Sequence, residues 1–441
     1  MKSKYTAFWM QALTVVVLAL LFIASSAVAQ TENILHRFNP TTADGLNPQS
    51  GLVADKSGNL YGTTYQGGTA DWGTVYQLKP PATAGGAWTE TILHDFTNNA
   101  DGASPLGSLT FDKSGNLFGT TIYGGVGVNG NSNGTVFELS PPATSGGTWT
   151  YKVIASFDDG VVAINPVGGL VFDAAGNLYG TSAGGIEIEL LCGETPCGNV
   201  FELQPPAVSG GAWTGKSIYN FGTSGANDGT VPNYVVFGAG GALYGTTSFG
   251  GALETGTFYK LTPPATSGGA WTEKILFSFP NNLGIPSGGL TAGGNGSFFG
   301  TAAFTGSSGS GIVFQLIPPS GGKGWTQSVL YNFTGGSDGS GPVQGVLRDT
   351  SGNLYGVANG GANFDPGMCL ANGCGTVYKL SPPAVSGGAW TETSLHDFAG
   401  GHDGGNPVGR PILLRGFLFG TTAYAGTPNY GLGGVVYRIT P

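Results

Sequence analysis

The chain has 441 residues, among them 82 glycines and 26 prolines, but only 16 basic and 25 acidic side chains, for a formal charge of −9. An acidic chain without a basic cluster is a poor partner for nucleic acid or an anionic membrane surface. Disorder is also excluded, because 40% hydrophobic and 11% aromatic residues suffice for a core while charged residues make up only 9%.

Residues 1–29 read as an export signal. Lys2 and Lys4 precede an apolar run from Ala12 to Ala24, and Ala27-Val28-Ala29 supplies a small-x-small cleavage pattern. The run is short for a bilayer span, and no later stretch is long enough to cross one. The expected product is a single secreted or periplasmic domain, residues 30–441, monomeric and without a membrane span.

Self-similarity governs the rest of the chain. A small-aromatic unit recurs as GNLYG at Gly58, GNLFG at Gly115, GNLYG at Gly176, GALYG at Gly241, GSFFG at Gly296, GNLYG at Gly352 and GFLFG at Gly416. The seven copies stand 55 to 65 residues apart. In the second copy, period-two alternation predicts strand A at Leu109–Asp112 and strand B at Leu117–Thr121, joined by a tight turn at Gly115. Strand C follows at Gly134–Leu139 and stops at Pro141-Pro142. Strand D runs from Trp149 to Phe157, with alternate residues facing one side. Trp88, Trp149, Trp213, Trp271, Trp325 and Trp390 mark strand D six times.

The seventh strand D is displaced. The chain ends on a strand C, Val435 to Pro441, whereas Glu32-Asn-Ile-Leu-His-Arg-Phe38 matches Glu90-Thr-Ile-Leu-His-Asp-Phe96. A repeat divided between the two ends closes a ring and removes the exposed sheet edges. The predicted fold is therefore all-β, a seven-bladed propeller with four antiparallel strands per blade.

The unit DGxxPxGxLxFDxxGNLYGTT…GTVYxLxPPxxxGGxWTExxLHxF resembles the GloVer tandem repeat of exported bacterial proteins, over essentially the whole mature chain. That resemblance implies an exported repeat protein of a group often carrying C-terminal sorting anchors. Here the chain departs from the pattern, ending at Pro441 with no anchor sequence.

Groups for chemistry are sparse. His36, His94 and His396 share one repeat position in strand D, which elsewhere holds Ala155, Tyr219, Phe277 and Tyr331, so it reads as a packing site. His402 beside Asp403 lacks a third partner. Asp55, Asp112, Asp173 and Asp349 end strand A and are expected to fix the A–B turn. Asp44, Asp101, Asp159, Asp228, Asp338 and Asp403 precede a glycine in the D–A connection. With one carboxylate per site they read as turn caps, calcium being the alternative. No catalytic residue, resident metal or cofactor is expected. Cys192 with Cys197 and Cys369 with Cys374 read as two local disulfides of an exported protein. The repeated tryptophans read as blade-to-blade packing.

Loop lengths carry the functional hint. The A–B and C–D turns are nearly uniform, whereas the B–C loops range from about eight to about sixteen residues and hold both cysteine pairs. Variable loops on a rigid scaffold favour binding. Tyr65, Tyr123, Phe249, Phe304 and Tyr424 follow strand B in five blades, a broken set of aromatics suited to stacking on sugar rings. The leading expectation is a non-catalytic module recognising an extracellular glycan or protein through the B–C/D–A face. The alternatives are a structural surface or matrix protein, and a propeller enzyme of the lactonase or polysaccharide-lyase type with acidic or basic groups converging on the channel.

Overall fold

The computed structural model describes residues 32–441 apart from 41–42, 84, 127–132, 145, 158–164, 185–196, 209, 225–226, 267, 363–368, 370–372, 386 and 425–432. The export signal, Asp159 and Cys192 lie outside the described residues. Seven antiparallel blade sheets follow one another, each ordered A-B-C-D, with a further two-stranded pair of Gly45–Leu46 and Gln66–Gly67 at blade one. In blade one the strands are Val53–Ala54, Leu60–Thr64, Thr74–Lys79 and Thr89–Asp95. Blade four shows the fuller form, with Gly229–Phe237, Leu243–Gly250, Thr257–Thr262 and Thr272–Ser278. The described residues form no helix beyond two short 3₁₀ turns, Ala239–Gly241 and Gly294–Gly296.

The closing strand behaves as its sequence match requires. Glu32–Arg37 pairs antiparallel with Val435–Ile439, so the first described strand becomes strand D of blade seven. Further bonds bridge the same seam. Phe38 N–H donates to the Gly434 carbonyl at 3.1 Å, and Thr421 Oγ1 donates to the Ser50 carbonyl at 3.0 Å.

The core is divided into seven slabs, each between two neighbouring blades. One aromatic tie recurs in all seven. The phenylalanine after strand D packs on the strand C aromatic of the next blade: Phe38 on Tyr76, Phe96 on Phe137, Phe157 on Phe201, Phe221 on Tyr259, Phe279 on Phe314, Phe333 on Tyr378 and Phe398 on Tyr437. The ring centroids lie 4.9 to 5.5 Å apart. The repeated tryptophans make a second tie, backward to the preceding blade. Trp149 meets Tyr61, Trp213 meets Phe118, Trp271 meets Tyr179, and Trp88 crosses the seam to Phe419. Edge-on aromatic pairs of this kind add to simple area burial.

The glycine after the aromatic of each GNLYG unit has a packing reason. A Cβ on Gly119 would lie 2.5 Å from the Phe137 ring, and one on Gly356 2.3 Å from the Tyr378 hydroxyl. The strand C aromatic thus lies across a strand B that offers only hydrogen at that point.

Two local readings need correction. Strand D is Thr150–Ser156 rather than Trp149–Phe157, and strict alternation is broken by a register shift where Ala155 and Val153 face Val136 and Phe137. The same shift recurs in all seven strands D. An extra residue there turns the strand end so that both the His/Tyr position and the following phenylalanine reach the next blade. Strand A is also less regular than expected. In blades one to three it is two residues beside the turn, with a separate paired segment before it at Gly45–Leu46 and Ala103–Pro105 in the first two, and in blades four to seven a register shift interrupts it.

The A–B turns follow the sequence logic. Asp55 accepts from the Ser57 and Asn59 N–H groups at 2.9 Å, from the Asn59 amide at 2.7 Å and from the Tyr61 hydroxyl at 3.0 Å. Asp112, Asp173 and Asp349 repeat the pattern with Asn116, Asn177 and Asn353. Blades four and five have glycine in place of that aspartate, and there the turn is 3₁₀.

Candidate functional site

Three regions of the ring can be weighed for function: the axis, the blade interfaces and the B–C/D–A face. Strands A of successive blades pack side by side around the axis. Between the D–A aspartate and the A–B turn, no strand A carries an aspartate or glutamate. Arg410 crosses the axis, its Nη1 donating to Thr291 Oγ1 of blade five at 3.3 Å. Tyr234 of blade four lies near it. Desolvation, opposed by Tyr234, lowers the guanidinium, while desolvation, opposed by Arg410, pushes the phenol up to about 12. One arginine and one tyrosine amid glycines do not form an acid–base constellation.

The interfaces hold polar clusters that the repeat pattern concealed. His36 Nε2 lies 3.3 Å from Asp44 Oδ2 and 3.4 Å from Glu90 Oε2. His396 Nε2 lies 3.3 Å from Asp403 Oδ2 and 3.6 Å from Glu32 Oε2. The reading of these histidines as packing positions and of each aspartate as a lone carboxylate therefore misses half of the arrangement. The glutamate arrives from strand D of the next blade. Burial and the neighbouring Asp44 push Glu90 up to about 9, and burial pushes Glu32 to about 7. Asp44 and Asp403 stay below the usual carboxylate range despite desolvation, because the histidines and backbone donors favour their charged forms. Turn capping is real as well. Asp44 accepts from the Asn39 and Gly45 N–H groups, and Asp338 from Thr334.

Elsewhere the same position is built differently. His94 bonds Asp101 at 3.3 Å, but Tyr151 replaces the glutamate and stacks on the imidazole at 3.6 Å. Tyr219 and Tyr331 donate their hydroxyls to Asp228 and Asp338 at 3.2 and 3.0 Å. Burial pushes Glu273 and Glu392 up to about 7 beside them. His402 offers its carbonyl to Arg37.

The third region is the loop face. B–C loops bond back to the D–A connection of their own blade, Gly68 N–H to the Asp44 carbonyl at 2.8 Å and Gly251 N–H to the Asp228 carbonyl at 3.1 Å. Of the five aromatics singled out in the sequence, Phe304 is 67% exposed and Phe249 40%, on neighbouring blades. Tyr65 and Tyr123 are half-buried and lie against each other, the Tyr65 phenol being raised by burial and by Tyr123. Tyr424 is half-buried at the end of its strand. Trp72, Val126 and Leu253 stand exposed on the same set of loops. Sequence reasoning passed over Trp72, although a tryptophan outside the strand D position was the signal for it. Cys369 and Cys374 form a disulfide in the B–C loop of blade six, with Cα atoms 4.9 Å apart. Cys197, in the corresponding loop of blade three, is also disulfide-bonded.

Known proteins resemble this chain at two levels. The Gloeobacter/Verrucomicrobia repeat matches residues 19–207 and again 190–370. No curated protein matches. Among solved structures, the extracellular domain of a protein described as a one-component system from B. thetaiotaomicron superposes with a TM-score of 0.51 at 11% identity. The match covers 93% of this chain and 42% of that one. A protein described as a 6-phosphogluconolactonase from Bacteroides uniformis gives 0.47 at 12% identity, over 81% and 86% of the two chains. The α-L-arabinanase of Penicillium chrysogenum complexed with arabinobiose gives 0.42 at 15%, over 76% and 92%. At such identities the likeness to the first of these concerns the fold alone, and the other two carry no argument. Over most of its length, then, the chain belongs to the Gloeobacter/Verrucomicrobia repeat family.

Proposed function

Taking a closed ring of this repeat family as the premise, we propose that the protein is an exported, non-catalytic binding module whose B–C/D–A face recognises a carbohydrate chain. The observation that carries the reading is the placement of exposed apolar side chains. Trp72, Leu253 and Phe304 stand on B–C loops of blades one, four and five, and Phe249 at the end of strand B of blade four, on a scaffold whose strand B and C interiors are buried. Exposed aromatics held by a rigid scaffold present flat apolar faces, which suit the C–H faces of sugar rings, and their loop backbones supply polar groups beside them. The axis supports the non-catalytic part, since no strand A brings an acid to it. A disulfide in blade six supports export to an oxidising compartment.

The test is a glycan array probed with residues 30–441, beside the variant Trp72→Ala/Phe249→Ala/Phe304→Ala. Binding by the parent with at least tenfold weakening in a variant of unchanged circular dichroism supports the reading. Equal binding by both moves recognition off these aromatics, and silence from the parent removes carbohydrate as the ligand.

A further inference from the structure

The two histidine clusters have the chemistry of a coordination site. Each brings one imidazole and two carboxylates together, with one ligand atom from each residue within 4.8 Å of the others, and these are the two such groups among the described residues. A charge-assisted N–H···O⁻ bond runs at about 2.7–2.9 Å. The histidine-to-carboxylate distances are 3.3, 3.4, 3.3 and 3.6 Å, longer than that. They match a different geometry. With metal bonds of about 2.0–2.1 Å, two ligands of a tetrahedral ion stand about 3.3–3.4 Å apart.

Orphaned atoms point the same way. His36 Nε2 and His396 Nε2 are buried and make no hydrogen bond of ordinary geometry, each facing its two carboxylates at 3.3 to 3.6 Å. Such groups carry a desolvation cost unless something pairs with them. Arg37, the cation that acts on Glu32, spends its Nη1 on the His402 carbonyl.

We propose that His36–Asp44–Glu90 and His396–Asp403–Glu32 each bind one divalent transition-metal ion of the zinc class. Imidazole with two carboxylates suits such an ion and leaves a fourth position for water. Calcium prefers six to eight oxygen ligands, which these clusters do not offer. The remaining interfaces act as internal controls. Tyr151 displaces the third ligand beside His94, tyrosine hydroxyls replace the imidazole at Asp228 and Asp338, and Ala155 and Phe277 offer no donor. Among the described residues the full donor set therefore occurs only at the two interfaces flanking strand Glu32–Arg37. That strand gives Glu32 to the cluster shared with blade six and His36 to the cluster shared with blade one. The two ions would clip it to both neighbours.

The experiment uses the full mature chain, stripped with a chelator and dialysed, then titrated with ZnCl₂ by calorimetry, with bound metal counted by mass spectrometry. Two equivalents per chain and a higher melting temperature with zinc are expected, one per cluster. His36→Gln and His396→Gln should each lose one equivalent, their combination both, and His94→Gln none. Circular dichroism confirms that each variant is folded, and glutamine keeps the polarity so that the seam survives. A folded parent that binds no zinc, zinc binding untouched by the paired variant, or calcium bound in preference to zinc would each overturn the proposal. One equivalent, lost with only one histidine, refutes the site of the other.

Discussion

Removing the Phe38 ring tests whether the seam is the point at which the circle opens. Phe38 is fully buried, whereas no residue of the closing strand Glu32–Arg37 is. It lies in the slab between blades seven and one, edge-on to Tyr76 at 5.1 Å. Phe38→Ala removes a full aromatic side chain and is expected to cost about 3–5 kcal/mol. At every other interface a strand D is held by covalent chain at both ends. At the seam, strand Glu32–Arg37 joins blade seven without a C–D turn, through its five register pairs with Val435–Ile439, the Phe38 N–H and Arg37 bonds, and this side chain. The loss should therefore appear as local opening. At about 1.4 kcal/mol per tenfold change, amides of Val435–Ile439 should exchange roughly 10²- to 4 × 10³-fold faster. Hydrogen exchange read by mass spectrometry measures it, with Phe221→Ala as the matched control. Phe221 is equally buried and pairs with Tyr259 at 4.9 Å. If Phe38→Ala leaves exchange in Val435–Ile439 unchanged, or if Phe221→Ala opens its own strand as readily, the seam is no weaker than the other interfaces and the reasoning fails.

Two more expectations concern other interfaces and the blade interior. Glu273 and Glu392 have folded values of about 7, above 4.5, through burial and then Asp228 for the first, Asp338 and Asp397 for the second. The folded chain thus binds more protons than the unfolded chain between those values. Their contribution is fully present below about pH 4.5 and is lost as the pH rises through 7. Glu273→Gln/Glu392→Gln should flatten the fall in melting temperature between pH 5 and pH 8, and a slope equal to the parent's would contradict this. Gly119→Ala places a Cβ 2.5 Å from the Phe137 ring and should cost roughly 1–3 kcal/mol in denaturant melts, whereas Ser114→Ala in the neighbouring exposed turn should cost less than about 0.5.

The circular architecture was legible because its evidence is periodic. Seven GNLYG-like units, six strand D tryptophans and the match of Glu32–Phe38 to Glu90–Phe96 report a count and a closure that no single-residue propensity could. Turn chemistry was legible for a local reason, since Asp55 and Asn59 stand four residues apart and meet in the same turn. The polar clusters escaped because each takes residues from two blades. Within one repeat, His36 and Asp44 look like a packing residue and a cap, and Glu90 enters only when the next blade is laid alongside. Averaging over repeats hid them further, as tyrosine, phenylalanine and alanine at the histidine position suggested indifference to chemistry. The irregular strand A escaped for a third reason. Neighbouring strands there crowd the axis, and the close approach of Gly345 to the Gly289 backbone is a contact between blades.

The pairing of Glu32 with Ile439 also sets an order of events. Its two partners are separated by nearly the whole chain, so this ladder carries the highest loop-closure cost in the molecule and is expected to form last. A chain emerging from its N-terminus must hold Glu32–Arg37 unpaired while six blades assemble behind it. During that interval blade seven has no outer strand, and Val435–Ile439, once made, is an open edge able to accept a strand from another chain. The same six residues that complete one ring could complete a neighbour's instead, so domain-swapped dimers are the misassembly to which this topology is exposed. Dilution during refolding should favour monomers, because the intramolecular partner then outcompetes the other chain.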